Sequence, residues 1–460
     1  MNTNAVSCWR RMARGLSVGI AALLLLTAGD ALAEGLKAEQ KPWAIPLDHW
    51  LQHPDPVELP PREPAPEDAN WFDRWMQWRD WTMEYVGGFD VYGVTSQMPQ
   101  GYMYVKYQWD SIAASQRYDA SRRLGSLIRF SPEMVQFLAR AFDIPDPDSI
   151  VDIDIGLSGK GGGHTWQFSY GVTDAVDFYF DLPFTYMDVS MKPFATRKDG
   201  TRVDVDQLVC GLTEGTTREP FATRYKSDWV LGDINAGFSW NIFRTNRFAG
   251  ALTPRVFFPT GRVADPDNSL LYATGTEIET SIGGWAVGAT QGYDIRIFKY
   301  SHWIDIVAST ELSFAYAFAQ QRKYPEYMLD LDAGFTMTPV NTDSNTFTYI
   351  PGWSLEWTAQ LTFGVALFGI SAGFGAMHMQ TPEIHGDWDF VRRVQALELV
   401  GSQTTWVVQV ATSVTLLPLG VPLELGFSWR KVVDGFNALV FDDWFQVVVK
   451  AYLPTLPRLF

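Results

Sequence analysis

Cysteine is nearly absent from this chain of 460 residues: there are two, Cys8 and Cys210. Cys8 falls in an N-terminal stretch expected to be removed, which excludes an intrachain disulfide framework. Charge is scarce as well, at 19% of residues against about 25% in soluble globular domains. What charge exists leans acidic, with a net of −16, and so excludes the basic face that nucleic-acid binding requires. Beyond residue 33 no charge-free apolar run of about 20 residues occurs, which argues against a polytopic helical membrane protein. Yet 47% of residues are hydrophobic while the mean hydropathy is only −0.07, so apolar residues are interleaved with polar ones. Aromatics are abundant, at 19 Trp, 18 Tyr and 30 Phe.

The N-terminus is organised in segments. Arg10, Arg11 and Arg14, then the apolar Leu16–Ala28, then Ala31-Leu32-Ala33 before Glu34 predict a signal peptide over 1–33, and hence export through the inner membrane. Residues 34–70 read as a periplasmic linker, because eight prolines between 42 and 66 block helix and ladder alike. Within 71–150, Trp71, Trp75, Trp78, Trp81 and Tyr85 share one helical stripe opposite Asp73, Asp80 and Glu84. That spacing predicts a short amphipathic helix at a membrane interface or plugging a pore, or else packed on the rest of the protein.

Beyond residue 150 the period changes from 3.6 to two. Ile234, Ala236, Phe238, Trp240 and Ile242 alternate with Asp233, Asn235, Gly237, Ser239 and Asn241. In Leu355–Leu367 the apolar set is odd-numbered, whereas in Phe368–Ala376 it is even, a phase flip that places a tight hairpin at Leu367-Phe368. Connections alternate between short ones and long ones, the latter being 191–228, 259–283, 320–353, 381–403 and 432–442. A barrel with tight periplasmic turns and long outer loops does this, whereas a sandwich has no reason to. The fold expected is therefore all-β: an antiparallel transmembrane β-barrel over 151–453, of about 12 strands, with a tail over 454–460. Strand 151–158 is taken as the first. Adding 102–109 and 122–130 would make fourteen, but Ser131-Pro132-Glu133 starts a helix where that count needs a short turn.

Sites for chemistry are few. His164 follows Gly161-Gly162-Gly163, but a phosphate loop needs a helix next and a strand follows, so a hairpin turn is expected. His302, His378 and His385 lack the spacing of a zinc site, and no metal or cofactor is expected. His385, Asp387 and Asp389 share one outer loop and are the residues a barrel-borne hydrolase would use, but a solvated loop accounts for them, and no enzyme is expected. More informative are Asp177, Asp181, Arg255, Asp294, Arg296, Asp305, Glu311, Glu356, Glu424, Arg430 and Lys450, all in phase opposite the apolar stripes. A basic residue facing lipid at mid-membrane costs roughly 2–4 kcal/mol, so these residues are expected to face the lumen. They would either plug it with ion pairs or line a wet channel.

Three motifs carry a resemblance. Tyr170-Gly171-Val172-Thr173-Asp174 followed by Leu182-Pro183, then Leu231-Gly232-Asp233, then Phe258-Pro259-Thr260-Gly261 with Gly275, are similar to a bacterial outer-membrane family. It is the transporter family associated with the meta-pathway of phenol degradation, related to the long-chain fatty acid and toluene transporters. The resemblance spans roughly 100–320 and implies uptake of small hydrophobic or aromatic compounds across the cell outer membrane. The Asn-Pro-Ala plug motif of the fatty acid transporters is absent. Expected partners are outer-membrane lipid and lipopolysaccharide, the barrel-assembly machinery and a small hydrophobic solute. A structural or adhesive barrel displaying its long loops is the alternative function.

Overall fold

In the computed structural model, described residues are Thr95, Met98 and the chain from Gly101 to Pro454. Within that span 127–131, 142–143, 155, 174, 191, 206–223, 227, 245–246, 270–271, 273–276, 278, 301–303, 331–335, 366, 397–401, 417–418 and 420 are excepted. The expected signal peptide, proline-rich linker, Trp71–Tyr85 helix and most of the 454–460 tail lie outside the described residues.

Twelve long antiparallel strands form one wall: β1 (Tyr102–Tyr118), β2 (Ser158–Thr173), β3 (Val176–Ser190), β4 (Ile234–Arg244), β5 (Phe248–Phe258), β6 (Ala286–Tyr300), β7 (Ile304–Ala317), β8 (Gly352–Val365), β9 (Phe368–Met379), β10 (Gln403–Thr415), β11 (Leu423–Phe436) and β12 (Leu439–Pro454). Each pairs with its neighbours in the sequence. β12 pairs back onto β1 from Tyr102↔Pro454 to Arg117↔Leu439, so the sheet closes and leaves no edge. Alternation is the cause. Outward side chains such as Phe238, Trp240, Phe314, Phe363, Phe368 and Ile370 are large, apolar and exposed, while their inward neighbours are polar or small. In water so large an apolar outside would be a liability; in a bilayer it is the required surface, and closure satisfies every backbone group of the span. Among the described residues no helix is long and apolar enough to cross a membrane.

Val365 pairs directly with Phe368, so the β8–β9 hairpin turns where the apolar phase changes. Three expectations are corrected. The first barrel strand is Tyr102–Tyr118, not 151–158; Ile150–Asp154 belongs to a separate small sheet with Phe194–Arg197 and Arg202–Asp204. The twelve-strand count survives because 119–157 is an outer loop rather than a short turn. It holds the expected helix α1 (Pro132–Ala141), whose Val135, Leu138 and Ala139 are buried, and Leu124–Ser126 only folds back on β1. Second, 432–442 is not a long loop. A register shift pairs Trp406 with Asp434 but Val407 with Val432, which breaks the alternation while the strand continues, and Asn437 at φ 47 makes a tight turn into β12. Third, Gly161–Gly163 lie inside β2 rather than in a turn. On Gly162 a Cβ would fall 2.6 Å from the Asp110 carbonyl and 2.7 Å from the Tyr186 ring, which crosses the strand there.

The long connections fold into a cap with its own core. Gln320–Lys323, Thr346–Ile350 and Glu383–His385 form a sheet, and with α2 (Trp388–Ala396) they bury Phe347, Phe390, Met328, Val394 and Tyr272.

Candidate lumen and its closed end

Ladder register assigns the inward face strand by strand. Across β1, β2, β3 and β4, Lys106 pairs with Gln167, Gln167 with Asp181, and Asp181 with Asn235. In the other direction Lys106 pairs with Lys450, and Lys450 with Glu424. Arg255 stands opposite Gly288, Asp294 opposite Ser309, Ser313 opposite Glu356, and Gln409 opposite Arg430. Followed around the wall, all eleven charged residues singled out above occupy this one inward phase, joined by Lys106, Asp110, Tyr104, Tyr179, Phe257 and Trp444. Sequence reasoning missed Lys106, Asp110 and Tyr104 because β1 was not counted in the wall, although its alternation (Met103, Val105, Tyr107, Trp109 outward) carried the signal.

Small residues make room for long ones. A Cβ on Gly288 would sit 2.7 Å from the Phe314 carbonyl and 3.2 Å from Arg255 Nε, so Arg255 lies along the wall over Gly288. Gln360 and Gln409 likewise converge over Gly373 and hydrogen bond each other at 3.0 Å. Cations rest on rings: Lys450 Nζ is 4.4 Å from the Tyr104 centroid and 4.7 Å from that of Tyr452, the Arg430 guanidinium is 4.8 Å from Trp444, and that of Arg255 5.2 Å from Phe257. Glu356 is exposed on this inward face.

At the short-turn end the lumen is occupied. Thr95 donates from its N–H (2.8 Å) and its hydroxyl (2.6 Å) to Asp294 Oδ2, and the Met98 N–H donates to Asp177 Oδ2 at 2.8 Å. All four residues are buried. Nearby, Arg296 clasps Asp305 through Nε and Nη2 at 3.1 and 3.2 Å, a bidentate pair that neutralises both charges. Thr95 and Met98, just before β1, are therefore tied to two acids of the wall.

Two of the three family-like motifs, Leu231-Gly232-Asp233 and Phe258-Pro259-Thr260-Gly261, meet at the other end, whereas Tyr170–Thr173 lies at the short-turn end. Asp233 accepts from the Gly261 N–H (3.0 Å), the Ser281 hydroxyl (2.6 Å) and the Ile282 N–H (2.6 Å), while the Thr260 hydroxyl donates to the Gly232 carbonyl (3.0 Å). Short motifs far apart in sequence thus form one knot at the root of two outer loops. In the cap, Asp387 Oδ1 accepts from the Asp389 N–H at 2.9 Å and caps α2, Asp389 pairs with Arg392 at 2.8 Å and with Arg393, and the exposed His385 pairs with Glu383 at 3.4 Å. Each of the three loop residues thus holds a structural partner. Burial pushes the Tyr272 and Tyr349 phenols up, against the nearby Arg322 guanidinium, which pulls them down.

No protein-family model and no curated protein sequence matches this chain. Solved structures resemble it in shape. An outer-membrane channel from Pseudomonas putida F1 is 10% identical, covering 78% of this chain and 98% of its own, with a TM-score of 0.45. A TodX monoaromatic hydrocarbon channel mutant is 10% identical over 80% of this chain and 94% of its own, with a TM-score of 0.32. The porin NanC is 6% identical over 77% of this chain and 100% of its own, with a TM-score of 0.30.

Proposed function

We propose that this protein is an outer-membrane channel for small hydrophobic or aromatic compounds, and that it performs no chemistry of its own. The observation that carries this reading is the two-sidedness of one closed wall: apolar and aromatic outside, and inside a charged, glycine-relieved face on which Glu356 remains exposed. A barrel that served only as an anchor would gain by filling that interior with apolar side chains or direct ion pairs. The family resemblance points to an aromatic cargo. Thr95 and Met98, held on Asp294 and Asp177, narrow the periplasmic end. The outward face meets lipid, and the long loops meet lipopolysaccharide outside. The eleven inward charged residues then act as the channel lining. Liposome-swelling and planar-bilayer recordings test this. Solute flux above protein-free vesicles is expected; no flux and no conductance would leave the adhesive or structural barrel, a reading that the separately folded cap favours.

A further inference from the structure

Charges of opposite sign stand on facing walls of the lumen without joining. On β11, β12 and β1 lie Arg430, Lys450 and Lys106, the last two directly paired across the ladder despite their like charge. The acids of that wall are occupied by neutral donors. Gln446 Nε2 and Gln108 Nε2 donate to the two Asp110 oxygens at 2.9 and 2.8 Å, and the Tyr452 hydroxyl donates to Glu424 Oε2 at 2.9 Å. On β7 and β8, across the barrel, stand Glu311 and Glu356. Glu311 interacts electrostatically with Glu356, Arg255, Lys106 and Arg430. Among the described residues, however, none of Lys106, Arg430, Lys450, Glu311 and Glu356 forms an ion pair.

A structural interior would bring such groups into contact, since like charges side by side and opposite charges held apart are both unfavourable in a narrow, poorly solvated space. Buried donors on the cationic side are also unsatisfied: Arg430 Nε and the Trp444 Nε1 beneath it have no hydrogen-bond partner. On this side Lys450 rests on the rings of Tyr104 and Tyr452, and Arg430 on that of Trp444.

We propose that this belt is a binding site for a small dipolar aromatic molecule with a carboxylate at one end and a hydrogen-bond donor, hydroxyl or ammonium, at the other. The carboxylate lies against Lys450, Lys106 and Arg430. The ring spans the space between the two charged walls, and the donor end reaches Glu311 and Glu356. Opposed walls of charge create a transverse field that orients such a solute and leaves a neutral hydrocarbon unheld. The inference rests on the channel reading for its role in transport, but binding can be measured without it.

The probe is 4-hydroxybenzoate, titrated calorimetrically into the full-length protein in detergent, alongside its flux into proteoliposomes. Lys450→Met is expected to weaken binding about tenfold, the loss typical of one charged hydrogen-bonding partner. Lys450→Arg restores it, and the outward, exposed Lys160→Met leaves it unchanged. The double variant Glu311→Gln/Glu356→Gln weakens 4-hydroxybenzoate more than benzoate, which lacks the second donor. Absence of wild-type binding, or equal affinity in Lys450→Met, overturns the proposal even if neutral solutes pass. Charge-dependent binding without flux of any solute overturns the channel reading and keeps the site.

Discussion

Gly288 decides where Arg255 can lie. With no Cβ, it lets the guanidinium run along the wall to donate to the Ser313 hydroxyl, so a charge is stored beside the lumen rather than in its middle. Gly288→Val would press on the Phe314 carbonyl and lift Arg255 off the wall, and is expected to cost about 1–3 kcal/mol, the usual penalty of overpacking. Heat-modifiable migration in detergent electrophoresis would show unfolding at a lower temperature. Asp294 acts at the same scale on Thr95. Asp294→Ala leaves the Thr95 N–H and hydroxyl without their acceptor, a loss of about 1–3 kcal/mol for an unsatisfied buried group. Single-channel conductance is expected to rise as Thr95 is released from the wall, and unchanged conductance would show that Thr95 does not narrow the path. His164 shows the limits of reading one residue. Beside three glycines it suggested a turn, but in the structure it faces outward, bonded to the Tyr107 hydroxyl and 4.2 Å from the Trp229 ring centroid.

At the scale of elements, period and phase were legible and ownership was not. The β8–β9 hairpin was readable because its phase flip needs only local side chains. The β11–β12 hairpin was hidden by a bulge at Val432–Asp434, which mimics the end of a strand. The identity of the first strand depended on whether 119–157 lay at the turn end or the loop end, a fact of barrel parity that no window of residues contains. The cap was invisible for a related reason, since Tyr272, Met328 with Phe347, and Phe390 come from three different loops. Its tyrosines give it a pH signature. Tyr272 and Tyr349 are raised above the ordinary 10.0 by burial, so the neutral forms belong to the folded cap. Their contribution is therefore full below pH about 10 and is lost as pH climbs through the raised values. Limited proteolysis is expected to open the loops at alkaline pH while the barrel stays folded, with the transition moving higher in Tyr272→Phe/Tyr349→Phe.

For the whole molecule, closure sets the meaning of every strand residue. Neighbours only three apart in β9 should respond oppositely to the same charge. Phe374→Arg puts a cation on the lipid side at about 2–4 kcal/mol, whereas Ser371→Arg puts it on the inward face at far less. Folding yield into vesicles measures both, and equal losses would contradict the assigned faces. The eleven charged candidates shared a face already in the sequence, because alternation is local. That Lys106 completes their belt required β12 to return to β1 across most of the chain's length.

The sequence by itself determined the class: a two-residue period, scarce cysteine and the absence of long apolar runs leave a membrane-crossing β-structure as the way to satisfy every backbone group. Only the tertiary structure decided which strand came first, which loops fold together, where Thr95 and Met98 lodge and which unlike charges face each other unpaired. Those are distances between residues remote in sequence, set by closure and register, and alternation along one strand carries no information about them.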